Sequence, residues 1–204
     1  MKAWSELYDM VLPHVPGCHL PMADLAIREA YRQLVNDAWL IRIRLDPIYL
    51  NNSVTTYDID FPDNMVLYRA LLAVMGNGDH AYYTSEPYLR FGNRYRCGNY
   101  QVYLPAPNQV QIDPKPDTGL TLEIEGIFHV THSVMGMDDL LVSQHAAAIA
   151  KGALSQLMMS PKKPYSDMQL GAVYQNEFLD MIEHAKSNAQ KAYSRSPQRT
   201  VSCF

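Results

Sequence analysis

A chain of 204 residues, 48% apolar and 19% charged, can bury one sizeable core, or one core with a smaller satellite, and is too apolar to be disordered throughout. Its net charge of −4 gives no general attraction for nucleic acid, and the three cysteines, Cys18, Cys97 and Cys203, show neither CxxC nor Cys/His spacing, which argues against a disulfide framework and a zinc site. The opening MKAWSELYDMVLP lacks the long apolar stretch of a signal peptide, and no run approaches the ~18 apolar residues of a membrane span, so a soluble, cytoplasmic chain with reduced cysteines and no membrane partner is expected.

Trp4, Leu7, Tyr8 and Val11 recur at helical spacing ahead of Pro13, and Pro16-Gly17 marks a turn. A second helix is predicted from about Pro21, a residue favoured in a first helical turn, to about Ala38. Its apolar stripe is Ala23, Ile27, Ala30, Tyr31, Leu34 and Ala38, with Arg28, Glu29, Arg32, Gln33, Asn36 and Asp37 on the other face.

From about Leu40 to Val134 the period changes from helical to two. Ile41–Leu45, Thr56–Phe61, Gln109–Asp113 and Leu120–Glu125 alternate polar with apolar residues, and turn signals separate them: Asn51-Asn52, Pro62-Asp63-Asn64, Gly76-Asn77-Gly78, Gly98-Asn99 and Pro114 to Gly119. Nine of the fourteen tyrosines fall between Tyr49 and Tyr103, where aromatic residues either cover a core or, if exposed, suit an interface.

The last part is helical again. Asp138-Asp139 can cap a helix bearing Val142, Ala146, Ile149, Ala153 and Leu157, whose small residues admit a close neighbour, and Pro161 and Pro164 end it. A long helix then runs from Ser166 or Asp167 to about Tyr193 on a stripe of Leu170, Tyr174, Phe178, Met181, Ile182, Ala185 and Ala189. Residues from Lys186 onward carry +4 and no acid, which leaves −8 on the rest of the chain.

Neither helical end can hide its apolar stripe alone, so both are expected to close on each other. The resulting expectation is an α+β protein: a discontinuous helical bundle from residues 1–39 and 136–193, an inserted antiparallel β sandwich or barrel-like domain at 40–135, and an extended C-terminal tail at 194–204.

Candidate chemistry is sparse. Asp58/Asp60 and Glu123/Glu125 each place two carboxylates on one face of a strand, the raw material of a glycan hydrolase, but acid alternating with hydrophobe is also the plain pattern of a strand with one wet face. His129 and His132 lack a third metal ligand at defined spacing, Cys18 and His19 are too close in sequence for a catalytic pair, and His145 and His184 sit on predicted helices as packing or interface residues. No GxSxG, GxGxxG or phosphate-loop motif occurs, so no catalytic residue, metal site or cofactor is expected and the chain is read as no enzyme. The segment Tyr88 to Arg96, with Arg90, Phe91, Arg94, Tyr95 and Arg96, could stack bases, but it reads better as a hairpin that meets an acidic neighbour.

The two ends together resemble the head-to-tail adaptor (connector) proteins of tailed phages. The residues that carry this are Trp4-Ser5-Glu6-Leu7, Val11 to Cys18 and Ala26-Ile27-Arg28-Glu29-Ala30 at the start; towards the end they are Ala148-Ile149-Ala150-Lys151-Gly152-Ala153-Leu154, Leu157, Pro161, Pro164-Tyr165, Phe178, Ile182 and Ala185-Lys186. The middle of the chain contributes no motif. The resemblance implies a virion protein of the neck, assembled in the host cytoplasm as a homo-oligomeric ring, usually dodecameric, between the portal protein and a tail or nozzle protein, with DNA passing through without sequence-specific binding. It implies that the tail, with Arg195, Arg199, Val201 and Phe204, binds the portal, and that the β part, with Arg90 to Arg96, meets the next tail component or a neighbour. A tail-completion or neck subunit is the alternative, followed by a glycan hydrolase or a nucleic-acid-binding module.

Overall fold

A computed structural model describes residues 2–76, 80–83, 100–106 and 108–191. The architecture is α+β, and the chain divides into two compact units, with one boundary between Leu40 and Ile41 and the other between His129 and Val130. The first unit holds the helices and the second holds the sheets.

The first unit opens with a 3-10 turn at Trp4–Leu7, helix α1 at Tyr8–Val11 and a second 3-10 turn at Leu12–His14. One continuous helix does not form because Pro13 brings no N–H to extend α1. Helix α2 spans Leu20–Asp37 with Pro21 in its first turn. It ends in a tight cap: the Leu40 N–H donates to the Val35 carbonyl at 3.2 Å, and Trp39 takes the left-handed position (φ 56°) that glycine usually fills. The Lys186 ammonium lies 4.5 Å from the centre of the Trp39 ring.

Helices α3 (Asp139–Met158) and α4 (Met168–Gln190) are each capped by an aspartate. One oxygen of Asp138 accepts from the N–H groups of Leu140 and Leu141, and one of Asp167 from those of Gln169 and Leu170. From Ala148 to Met158 only Lys151 and Gln156 are less than fully buried, so this half of α3 is covered on all sides, as befits a helix that is apolar all round. Helix α3 packs against both α2 and α4, while α2 and α4 touch little. It runs antiparallel to both, since Gly17 faces Pro164, Ser155 meets Gln175 and Lys151 pairs with Glu177.

Gly152 marks the tightest point. A Cβ there would lie 2.9 Å from the Ala30 Cβ on one side and 2.9 Å from the Phe178 ring on the other. Burying Phe178, Ile149 and Leu157 around it contributes about 1.5–3 kcal/mol each.

Among the described residues of this unit two polar residues, Asn36 and Ser155, are buried as a whole. The Asn36 amide donates to the Val130 carbonyl at 3.2 Å and accepts the Val130 N–H at 2.8 Å, closing a two-bond ring as a strand partner would. Ser155 is fully buried, with the Gly152 carbonyl and the Gln175 side-chain amide each 2.8 Å from its hydroxyl. A hydroxyl has one proton, so Ser155 donates to one of these two oxygens at a time.

The second unit contains β1 (Arg42–Arg44), β2 (Ile48–Tyr49), β3 (Thr56–Asp58), β4 (Met65–Met75), β5 (His80–Tyr83), β6 (Tyr100–Ala106), β7 (Gln109–Asp113) and β8 (Thr121–Val130), whose last residue already belongs to the first unit. Strands β1 and β2 both pair with β8, which neighbours β4, and β4 pairs with β5; separately, β6 pairs with β7 and β7 with β3. These are two antiparallel sheets joined by one parallel pairing, β5 with β6. The barrel-like expectation fails. The path stays open because its ends are short: β3 has three residues, and the other edge is split between β1 and β2 around Leu45–Pro47, where Pro47 has no N–H for a ladder. The expected hairpin around Tyr88 to Arg96 lies outside the described residues, but the strands that flank it, β5 and β6, run parallel and are not the two arms of a hairpin.

The sheet core gathers Leu45, Leu50, Leu67, Ile112, Leu122, Ile124 and Phe128 among others, with Phe61 edge-on to Phe128 at 5.6 Å. Strand β8 shows why period two was legible: Leu122, Ile124 and Phe128 are buried while Glu123 and Glu125 between them are partly exposed.

Two substitutions test this packing. Gly152→Ala should lower stability by about 1–2 kcal/mol in a denaturant titration, although alanine is about 1 kcal/mol better in a helix, and adding Phe178→Leu should recover part of the loss. Asn36→Ala leaves the Val130 N–H and carbonyl unpaired and should cost about 2–4 kcal/mol by the same measurement.

Candidate interaction surface

The residues singled out for partner binding, Arg90, Phe91, Arg94, Tyr95 and Arg96 in the middle and Arg195, Arg199, Val201 and Phe204 in the tail, lie outside the described residues. The other candidates can be placed. Asp58 and Asp60 flank buried Ile59, and Asp58 accepts from the Gln109 amide at 3.0 Å across the β3/β7 pair. Glu123 forms an ion pair with Arg44 of β1, and Glu125 sits directly opposite Arg44 in the ladder. In both pairs one carboxylate is tied to the neighbouring strand, which is how charged side chains on a wet face stabilise a pairing.

His129 stacks on Tyr68 with ring centres 3.9 Å apart and planes 10° apart, in the second unit. His132, in the first, is 80% exposed and lies 3.8 Å from Glu29. Hydrogen bonds from Arg32 hold the Glu29 carboxyl below its ordinary range, so Arg32 is its main partner. Among the described residues no group of three His, Cys, Asp or Glu side chains could hold a metal ion, and no helix is long and apolar enough to cross a membrane.

Around the start of the chain, Trp4 packs edge-on against Tyr31 at 5.8 Å with the Arg28 guanidinium 5.5 Å from its ring, and the Tyr31 hydroxyl accepts the Asp138 N–H. The Tyr8 hydroxyl donates to Asp24 at 2.6 Å, which pushes its phenol up to about 12. These contacts fasten the first turns to α2. They explain why Trp4 and Tyr8 stand where they do without giving them a ligand.

What remains on this unit is an outward surface with apolar side chains at several places, Met135 and Leu140 around the start of α3 among them. At the end where α2 and α4 begin and α3 finishes, large apolar side chains face solvent: Leu20 (51% exposed), Leu25 (58%), Met159 (38%) and Met168 (61%). The loops here are in contact, since a Cβ on Gly17 would meet Pro164 at 3.8 Å and one on Gly171 would meet Met159 at 2.9 Å. Exposed Lys162 and Lys163 sit in the same loop as Asp167, whose carboxylate caps the positive end of α4, while α2 has no acid in its first turn. Further along α4, Leu179, Asp180 and Glu183 are exposed. Glu177 pairs with Lys151 at 2.7 Å, whereas Asp180, Glu183, Lys162 and Lys163 have no ion-pair partner among the described residues. Single-sequence reading located both helices but missed this surface, because Leu25 and Met168 look like any other apolar residue until the buried side of the helix is fixed.

No protein-family model matches the chain, and no curated protein matches it either.

His145 on α3 offers a pH test. Burial holds its imidazole below the ordinary value of 6.5, and its Nε2 is buried with no hydrogen-bond partner among the described residues. The unfolded chain therefore takes up a proton on His145 as pH falls through 6.5, while the folded chain does so only at lower pH. Stability contributed by the neutral ring is complete above that value and is lost as pH drops from 6.5 towards the folded pKa. Thermal unfolding followed across that window should show the decline, and His145→Gln should flatten it; the lowered Glu29 acts in a separate window below its ordinary value of 4.5.

Proposed function

We propose that this chain is a structural subunit of a tailed-phage neck: a head-to-tail adaptor that forms a ring of identical copies between the portal protein and a tail or nozzle protein, located in the virion and assembled in the host cytoplasm. Its work in this reading is binding, without a catalytic step or a cofactor.

One observation carries the reading. The motifs by which the two chain ends resemble connector proteins are distant in sequence, yet they meet in one unit: Ala30 from the first motif, Gly152 from the second and Phe178 beyond it touch at a single crossing, and Trp4 packs on Tyr31 of the same helix. A helical unit closed from both chain ends is what the resemblance implies, and this crossing is consistent with it. The engagement of Asp58 and Glu123 by neighbouring strands gives no support to the hydrolase alternative.

Charge fits the same role. With +4 from residue 186 onward and −8 before it, the chain has a basic end suited to an acidic portal surface, where Arg195 and Arg199 supply charge and Val201 and Phe204 an apolar anchor. An acidic body beside a DNA channel repels the phosphate backbone and lets the duplex slide.

Removing residues 194–204 tests the assignment. The truncated chain should keep its thermal transition but lose retention on immobilised portal rings, by at least about tenfold in affinity, the factor set by 1.4 kcal/mol. Unchanged retention would overturn the role given to Arg195, Arg199, Val201 and Phe204.

A further inference from the structure

We infer that the apolar, lysine-bearing end of the helical unit docks on the acidic flank of α4 in a second copy of this chain. The inference deepens the proposed ring, and it rests on that reading for its biological setting; its physical basis is in the helical unit alone.

The chain carries both halves of a complementary contact. One half is the end formed by the starts of α2 and α4, where Leu20, Leu25 and Met168 are more than half exposed beside Lys162 and Lys163. Large apolar side chains gathered at one end of a unit are a common mark of an interaction site. The other half is the α4 flank with Leu179, Asp180 and Glu183. Two acids of like sign three residues apart weaken an isolated helix slightly, and two adjacent lysines likewise repel, so both pairs gain from a partner of opposite sign. Among the described residues four ion pairs between acids and Lys or Arg form within the chain, Lys2 with Glu6, Arg32 with Glu29, Arg44 with Glu123 and Lys151 with Glu177, and none of them uses these two patches.

These two halves cannot satisfy each other within one molecule. At 1.5 Å per residue, Asp180 lies about 18 Å along α4 from Met168, well beyond the reach of a lysine side chain from the loop before the helix. Contact between different patches on identical molecules is heterologous, so it propagates from copy to copy and closes into a ring when the rotation allows. The apolar residues supply the area, and the charges fix which patch meets which.

Charge reversal decides the matter. Self-association of the full chain is followed by analytical ultracentrifugation between micromolar and millimolar concentration, at low and high salt. The wild-type chain should associate, and less so in salt. Lys162→Glu with Lys163→Glu makes both patches acidic, and Asp180→Lys with Glu183→Lys makes both basic; each double variant alone should associate at least about tenfold more weakly, since like charges now face each other. Mixed in equal amounts, the two should recover association, because every patch of one then finds its opposite on the other. Circular dichroism confirms that each variant is folded. A wild-type chain that stays monomeric throughout, a double variant that associates as strongly as wild type, or a mixture that fails to recover would each overturn the inference. Portal retention is measured on the same samples: retention without self-association through these patches leaves the adaptor reading standing and removes this contact, whereas self-association without retention does the reverse.

Discussion

Three helices share one point, and the point is occupied by hydrogen. Gly152 faces Ala30 of α2 and the ring of Phe178 of α4 at distances that leave no room for a methyl group. Both neighbours are fully buried and cannot step aside without disturbing the packing behind them. The approach of α2 and α4 to α3 is set here, and the rest of the unit follows from it: Ser155 can reach Gln175, Lys151 can reach Glu177, and Met159 closes over Gly171. Because α2 and α4 meet each other so little, α3 must be apolar nearly all round, which its second half is.

The two polar residues buried as a whole among the described residues of this unit, Asn36 and Ser155, are both hydrogen-bonded. Asn36 treats Val130 as a neighbouring strand would, giving one hydrogen bond and taking one, so the backbone leaves the end of β8 with its donor and acceptor satisfied. The α2 terminus solves a similar problem with an expensive residue. Trp39 in a left-handed conformation is strained by roughly 1 kcal/mol or more, and the Lys186 cation against its ring offsets part of that.

How far the sequence could be read depended on how local each cause was. The caps at Asp138 and Asp167, and the helix started near Pro21, follow from chemistry within a turn, so they were visible. Strand β8 was visible because its alternation survives in the fold. The longest strand, β4 at Met65–Met75, was not. Leu67, Ala70 and Ala73 are buried at every third position, a helical spacing that ends only with buried Met75, and pairing with β5 and β8 makes the segment extended. Asn36 was assigned to the wet face of α2 because its partner is 94 residues away. The parallel pairing of β5 with β6, against an expectation of antiparallel strands, likewise depends on long-range topology that no local pattern encodes. Of the candidate site residues, the carboxylate pairs could be judged only once Arg44 and Gln109 were in place across the ladder.

The open ends of the sheet path carry a hazard that the chain blunts in two ways. A row of free backbone groups invites any passing strand, and crowding makes such encounters frequent. Here β3 offers three residues with an aspartate at its end, and the opposite edge is broken at Asp46-Pro47 between two short pieces carrying Arg42 and Arg44. Neither edge is long enough to template an indefinite stack. Short, interrupted edges of this kind give a second strand little length to pair with, which is how a sheet left open avoids edge-to-edge growth.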